Sequence, residues 1–189
     1  MNNSLHYIEC WILHAHKFFL LWCDAIGEKD YFVHAKNDAI NRLIVTCDIQ
    51  KLIIYADENN LKLASRSEID LELNLDKSNS MLSKLKHGKK ISEKKAALLL
   101  NLWNTFDDIS NTIGRSLMPS RTYECSGNEI YRISEKLLYG NNLPAITPEG
   151  KKYHPIFSKK EIYFIKHAFS FALKEIINMI TQQLIVETT

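Results

Sequence analysis

Two histidines and a cysteine near the start of the chain have the residue types and spacing of metal ligands. His6, Cys10 and His14 are spaced i, i+4 and i+8, so on a helix they would form one stripe of nitrogen and sulfur donors. No fourth ligand is visible, and His14 and His16 would point about 200° apart on a helix, too far to share an ion. We therefore expect packed or half-exposed histidines, with no metal site and no other cofactor.

A second group that could react is Cys125-Ser126-Gly127, which would suit a nucleophile in a tight turn. Such a nucleophile needs a neighbouring base, and no histidine with a partner carboxylate can be assigned to it from the sequence. The phosphate-binding loop, the dinucleotide fingerprint, the His-Glu-x-x-His motif and the Gly-x-Ser-x-Gly elbow are all absent from the sequence. We expect no catalytic activity.

A dense group of lysines is the most informative feature of the sequence. Asp76 and Glu93 are the only acidic residues among them, so the local charge is about +5. Beside a short exposed helix, such a cluster could bind the phosphates of DNA while residues at the start of the helix reach base edges. The seven lysines are Lys77, Lys84, Lys86, Lys89, Lys90, Lys94 and Lys95.

The region from Asp57 to Leu102 resembles the helix-turn-helix of the phage-repressor-like family of DNA-binding proteins. Ser80 to Ser92 resembles the recognition helix and the turn after it, and Ser65-x-x-Glu68-Ile69 resembles the start of the first motif helix. The residues of the turn and the next helix that match are Gly88-Lys89-Lys90, Lys95-Ala96, Leu99 and Leu102.

The resemblance implies that the protein is a DNA-binding regulator whose partner is double-stranded DNA. The residues expected to face the major groove are Lys77, Ser78, Asn79, Ser80 and Ser83. Those expected at the phosphates are Lys84, Lys86, Lys89 and Lys90.

Two alternatives remain open. The apolar segments near the two ends of the chain could pair with each other or with a second copy, which would make a non-catalytic helical interaction module or a homodimer. An all-helical protein of this size also resembles the HEPN ribonucleases of bacterial conflict systems in architecture. Their catalytic Arg and the His that follows it are not found at any arginine of this chain, so that resemblance implies an inactive member.

The elements that must position these residues are all predicted to be helices. Apolar residues recur at helical spacing, and Ser65 with Glu68 and Ser158 with Glu161 have the spacing of capping boxes. The predicted helices lie around Trp11 to Ile26, Asn37 to Tyr55, Ser65 to Leu75, Ser80 to His87, Ser92 to Ile113, Asn128 to Tyr139 and Lys159 to Val186.

We therefore predict an all-α fold, a helical bundle with an embedded helix-turn-helix-like unit at 57–102 and a long C-terminal helix. Residues 1–120 would form a helical domain, 121–157 an irregular linker or surface loop, and 158–189 the last helix, packed on the first helices or on a partner subunit. Of the 189 residues 46% are hydrophobic, and the net charge is only +2. With no apparent membrane span or secretion signal, and four scattered cysteines expected to be buried thiols, we expect a cytoplasmic protein.

Overall fold

A computed structural model describes residues 4–37, 40–118 and 126–183 of the chain. Within these ranges the strands are β1 (Leu5–Leu13), β2 (His16–Asp24), β3 (Tyr31–Phe32), β4 (His34–Asn37), β5 (Ile40–Leu43) and β6 (Leu71–Asn74). The helices are α1 (Ile49–Glu58), α2 (Leu75–Lys84), α3 (Glu93–Ile113), α4 (Gly127–Gly140) and α5 (Lys159–Gln183).

The prediction of an all-α helical bundle is wrong, and the largest error is at the first apolar segment. That segment is a β-hairpin in which β1 and β2 pair from Leu5 with Asp24 to Leu13 with His16. The two residues of the turn, His14 and Ala15, both have positive φ, as the tight turns that join paired strands require. Both faces of β1 are buried, so the strand reads as a continuous apolar run, which a sequence cannot distinguish from a buried helix.

β1 lies in the interior of a four-stranded sheet with the order β3-β2-β1-β6. The hairpin is antiparallel, whereas β6 pairs with β1 in parallel, from Glu9 opposite Leu71 to Ile12 opposite Asn74. One face of the sheet packs against α1, where Ile8 and Leu21 meet Leu52 and other buried residues. On the other face, the Trp11 and Phe32 rings pack edge to face with their centroids 5.2 Å apart.

Two further helices were also predicted wrongly. The stretch from Asn37 to Tyr55 contains β5 and only the first part of α1, and β4 and β5 form a separate two-stranded sheet. The stretch from Ser65 to Leu75 ends in β6, although the Ser65 hydroxyl does accept hydrogen bonds from the backbone N–H groups of Ser67 and Glu68. The Ser65 side chain therefore stabilises a local turn, but no helix follows it. The backbone N–H and C=O groups that follow form hydrogen bonds with β1 in the parallel sheet instead.

The later helices are confirmed close to their predicted positions. Residue Ser92 precedes α3, and Ser126 and Ser158 precede α4 and α5. The helix predicted at Ser80 to His87 is α2, which begins five residues earlier and ends at Lys84. The predicted end of the last helix, Val186, lies outside the described residues.

The chain divides into two compact units, each built from separate segments. Unit 1 comprises Met1–Asp76, Asp107–Leu117 and Lys174–Thr189, and unit 2 comprises Lys77–Phe106 and Met118–Leu173. Unit 1 holds the sheets, and unit 2 is helical, with a core in which the Phe169 ring meets Trp103 and Phe106. None of the described helices combines the length and the apolarity needed to cross a membrane.

The strand structure also changes two arrangements that were considered for a first helix, the stripe of metal-ligand types and the pairing of apolar helices in a homodimer. Four residues along a strand span about 13 Å, so His6, Cys10 and His14 do not meet at one ion. In the described part of the chain, no three His, Cys, Asp or Glu side chains are grouped so that they could hold a metal ion. A homodimer that pairs two apolar helices also loses its first helix, which is the β1–β2 hairpin.

Candidate nucleic-acid interface

The basic segment, residues 84–95, joins the end of α2 to the start of α3 in unit 2. It turns at Gly88, whose φ of +68° is one that glycine adopts without strain. The Gly88 N–H donates to the Phe157 carbonyl at 2.9 Å, and the Ile91 N–H donates to the Pro155 carbonyl at 3.1 Å. The basic segment is therefore held in place by backbone pairing with residues 155–157.

Apolar side chains of the basic segment fix the direction in which its lysines point. Leu85 and Ile91 are buried in unit 2, while all six lysines of the segment are exposed. The only acidic residue within it, Glu93, pairs with Lys152 at 3.4 Å. In the parts of the chain that the structure describes, none of these six lysines forms an ion pair, so their charges face solvent. The six are Lys84, Lys86, Lys89, Lys90, Lys94 and Lys95.

Of the nine predicted DNA-contacting residues, eight are exposed and one is not. Ser78 is fully buried on the inner face of α2, so it cannot reach a groove. Lys77, Asn79, Ser80 and Ser83 lie on the outer face of the same helix, where Ser83 Oγ donates to the Ser80 carbonyl at 2.8 Å. The other four predicted residues lie at or after the end of α2 and are also exposed: Lys84, Lys86, Lys89 and Lys90.

The two units carry opposite charges, which the near-zero net charge of the chain conceals. The segments of unit 2 contain fifteen Lys and Arg and six Asp and Glu, a formal charge of +9. Those of unit 1 contain nine and sixteen, a formal charge of −7. Sequence reasoning found the lysines at 77–95, but it could not group them with those at 151–160, which the fold places in the same unit.

Residues predicted to be part of a linker contribute to this interface. The end of the predicted 121–157 loop is ordered against the basic segment, with Lys90 bridged to Ile156 in addition to the two hydrogen bonds above. Lys136 on α4 donates to the Ile156 carbonyl at 3.0 Å and to Glu161 of α5 at 2.7 Å. These bonds fix residues 155–157 against α4 and α5. The exposed Lys151 and Lys152 lie three to four residues before Pro155 in the chain.

A different kind of polar site lies in unit 1, where an open cleft of about 750 Å³ is lined mostly by polar residues. Its acidic residues include Asp30, Asp107 and Asp108, and its basic residues are Lys29 and Arg115. Trp22 Nε1 donates to Asp108 Oδ2 at 2.9 Å. The pKa of Asp108 is raised to about 6, mainly by burial. The Trp22 hydrogen bond lowers this pKa, and the charges of Asp30 and Asp107 raise it. The cleft therefore contains a carboxyl group that can exchange a proton close to neutral pH.

A second carboxyl group of unit 1, that of Glu9, is buried in β1. Its pKa is raised to about 8, mainly by burial and to a smaller extent by the charges of Asp108 and Asp70. The hydrogen bond from Trp11 Nε1 at 2.9 Å acts in the opposite direction. At neutral pH Glu9 is therefore mostly protonated. Sequence reasoning gave neither carboxyl group a role, because nothing in the local sequence shows that they are buried.

Of the Cys125-Ser126-Gly127 group, which was considered as a nucleophile, Cys125 lies outside the described residues. Ser126 is the N-cap of α4: its hydroxyl accepts from the Glu129 N–H, and the Glu129 carboxylate accepts from the Ser126 N–H at 2.8 Å. The three cysteines that are described are free thiols, of which Cys10 and Cys23 are buried and Cys47 is exposed. The Ser126 side chain thus has a structural role as a helix cap.

No protein family, curated protein or solved structure gives a significant match to this chain.

Proposed function

We propose that this protein is a non-catalytic DNA-binding regulator that acts in the cytoplasm, and that unit 2 binds the phosphate backbone of double-stranded DNA. The observation that carries the proposal is the formal charge of +9 on unit 2 in a chain whose net charge is +2. Fields of this kind attract polyanions, and phosphate contacts supply most of the sequence-independent affinity of DNA-binding proteins.

The exposed lysines of the basic segment suit phosphate contacts. They stand on a backbone fixed by two hydrogen bonds to residues 155 and 157, so binding would not have to order a loose loop. Their side chains make no ion pair within the described residues that a phosphate would need to displace. The lysines assigned to phosphates are Lys84, Lys86, Lys89 and Lys90.

The outer face of α2 suits a position in or beside the major groove. Its ten residues span about 15 Å, and B-DNA offers a groove about 12 Å wide. Lys77, Asn79, Ser80 and Ser83 present donors and acceptors on that face, whereas Ser78 is removed from the predicted set. Because the stretch from Ser65 to Leu75 is not a helix, the resemblance to the helix-turn-helix family now rests on α2, the turn at Gly88 and α3.

The test is the salt dependence of binding to a fluorescent 20-base-pair duplex, followed by anisotropy. We expect the Lys84, Lys89 and Lys90 triple alanine variant to flatten the slope of log K against log salt by up to about 2.7, at about 0.9 for each lost phosphate contact. The matched control replaces Lys29, Lys51 and Lys62 with alanine, which removes the same charge from exposed positions of unit 1. We expect the control to keep the wild-type slope.

Equal losses in the two triple variants would show a response to net charge alone, and absence of binding near 50 mM salt would exclude the DNA-binding function.

Regulators of this kind usually bind two half-sites as dimers, so we also propose a homodimer. Sedimentation equilibrium with and without the duplex measures its stoichiometry. Two chains per duplex are expected, and one chain per duplex contradicts the dimer.

A further inference from the structure

Unit 2 exposes aromatic rings as well as lysines. Among the described residues, nine of the twelve exposed large hydrophobic side chains belong to unit 2, including every exposed tyrosine and phenylalanine. Proteins that bind single-stranded nucleic acid combine a positive surface with aromatic rings on which successive bases stack. The exposed rings are those of Tyr131, Tyr139, Tyr153, Tyr163 and Phe171.

Two of these rings, Tyr139 and Tyr153, form a fixed pair. Their centroids are 6.2 Å apart with an interplanar angle of 69°, and the two residues remain 46% and 41% exposed. The Asn142 side chain holds the backbone of Tyr153 by accepting from its N–H at 2.6 Å and donating to its carbonyl at 3.1 Å. The Tyr139–Tyr153 pair is therefore positioned before any ligand binds.

The Tyr139–Tyr153 pair lies beside the basic segment. Pro155, two residues after Tyr153, accepts the hydrogen bond from Ile91, and Lys152, the residue before Tyr153, pairs with Glu93. Two residues span at most about 7 Å of chain, so Tyr153 lies close to the basic segment and to its exposed lysines on either side of Ile91. A ligand that contacts both must be planar and apolar in one part and anionic in another.

We propose that Tyr139 and Tyr153 form a stacking platform for unpaired nucleobases, with the adjoining phosphates on Lys89, Lys90 and Lys94. Bases in a duplex are stacked on each other, so the platform takes a single strand. This inference rests on the proposed function and adds to it a preference for single-stranded segments of nucleic acid. The charge of unit 2 favours this occupant over an apolar peptide, which would leave the lysines without partners.

The test compares the affinities for a fifteen-residue oligothymidine, the matching oligouridine and a duplex of equal length. We expect Tyr139→Ala and Tyr153→Ala each to weaken single-strand binding about 5- to 150-fold, as for the loss of one stacked base, with duplex affinity changed less than about twofold. Tyr153→Phe keeps the ring and should keep the affinity. The ratio of the affinities for the two oligonucleotides tells whether DNA or RNA is the preferred strand.

The control is Phe171→Ala, which removes an exposed ring of α5 that is not part of the Tyr139–Tyr153 pair. It should leave all three affinities unchanged. If the tyrosine variants bind the single strands as the wild type does, or lose single-strand and duplex binding equally, the platform is excluded. Salt-dependent duplex binding that is lost in the lysine variant would then still support the proposed function, so the two failures are distinguishable.

Discussion

Unit 1 places its most unusual ionisable groups inside the fold, whereas unit 2 places its charges on the surface. In unit 1 the Glu9 carboxyl group is buried and that of Asp108 is partly buried, and each accepts a hydrogen bond from a tryptophan N–H. In unit 2 six lysines of one segment are exposed on a backbone anchored by Leu85 and Ile91. The difference teaches that a near-neutral net charge does not describe either unit, because it is the sum of −7 and +9.

The largest expected effect concerns the dependence of stability on pH in unit 1. The Glu9 pKa is about 8 in the folded protein and 4.5 for the free group, so between these values the folded state binds a proton that the unfolded state has lost. The free energy of unfolding should therefore fall as pH rises from 4.5 to about 8, by up to about 5 kcal/mol from this group alone. Urea titrations across this range measure it.

Glu9→Gln is the matched variant, because the amide oxygen can still accept from Trp11 Nε1. The variant should be more stable than the wild type at pH 8 and should show a flatter pH profile. Asp108 acts in the same direction below pH 6, so some dependence will remain. Identical profiles for variant and wild type would show that Glu9 is ionised in the folded protein.

The next effect concerns how much the aromatic core of unit 2 contributes to the stability of the protein. Phe169→Ala removes a fully buried ring that packs against the Trp103 and Phe106 rings, with ring centroids 5.9 and 5.2 Å apart. We expect a loss of about 3–5 kcal/mol in the free energy of unfolding, measured by urea denaturation. Phe171→Ala on the same helix removes an exposed ring and should cost less than about 0.5 kcal/mol. Equal losses in the two variants would contradict the assignment of this core.

A smaller effect is expected where the basic segment is anchored. A Cβ added at Gly140 would lie 2.8 Å from both Ala96 Cβ and Pro155 Cγ, closer than side-chain carbons approach. Gly140→Ala should therefore destabilise the protein by about 1–3 kcal/mol through overpacking. It should also speed amide exchange at Gly88 and Ile91, which donate to residues 157 and 155. Unchanged exchange at both amides would show that the anchoring does not depend on this contact.

What could be predicted from the sequence was local. The helices α3, α4 and α5 follow a serine that their sequences already indicate, and their apolar spacing is helical. β1 and β2 could not be identified, because both faces of β1 are buried and the turn at His14 and Ala15 lacks the usual Asn-Gly signal. β6 pairs with residues about sixty positions earlier, and no local pattern encodes that choice.

The candidate interface was predicted in the same uneven way. The lysines at 84–90 lie close together in the sequence, so they were found, but the burial of Ser78 depends on which face of α2 packs inward. Tyr139 and Tyr153 become neighbours only through the turn held by Asn142, and their proximity to the lysines comes from backbone pairing at 155–157. These are tertiary features that composition and periodicity do not contain.

The segmented make-up of unit 1 has a consequence for synthesis of the chain. The strand β1 is made first, but its parallel neighbour β6 follows only at residue 71, and segments from Asp107 and from Lys174 belong to the same unit. Contacts between such distant residues slow folding, because a long loop must close before they form. On the ribosome, the β1–β2 hairpin would therefore meet β3, α1 and β6 early, but unit 1 would lack its segments from Asp107 and Lys174 until late in synthesis. During that time the apolar surface that these segments cover would be open to chaperones.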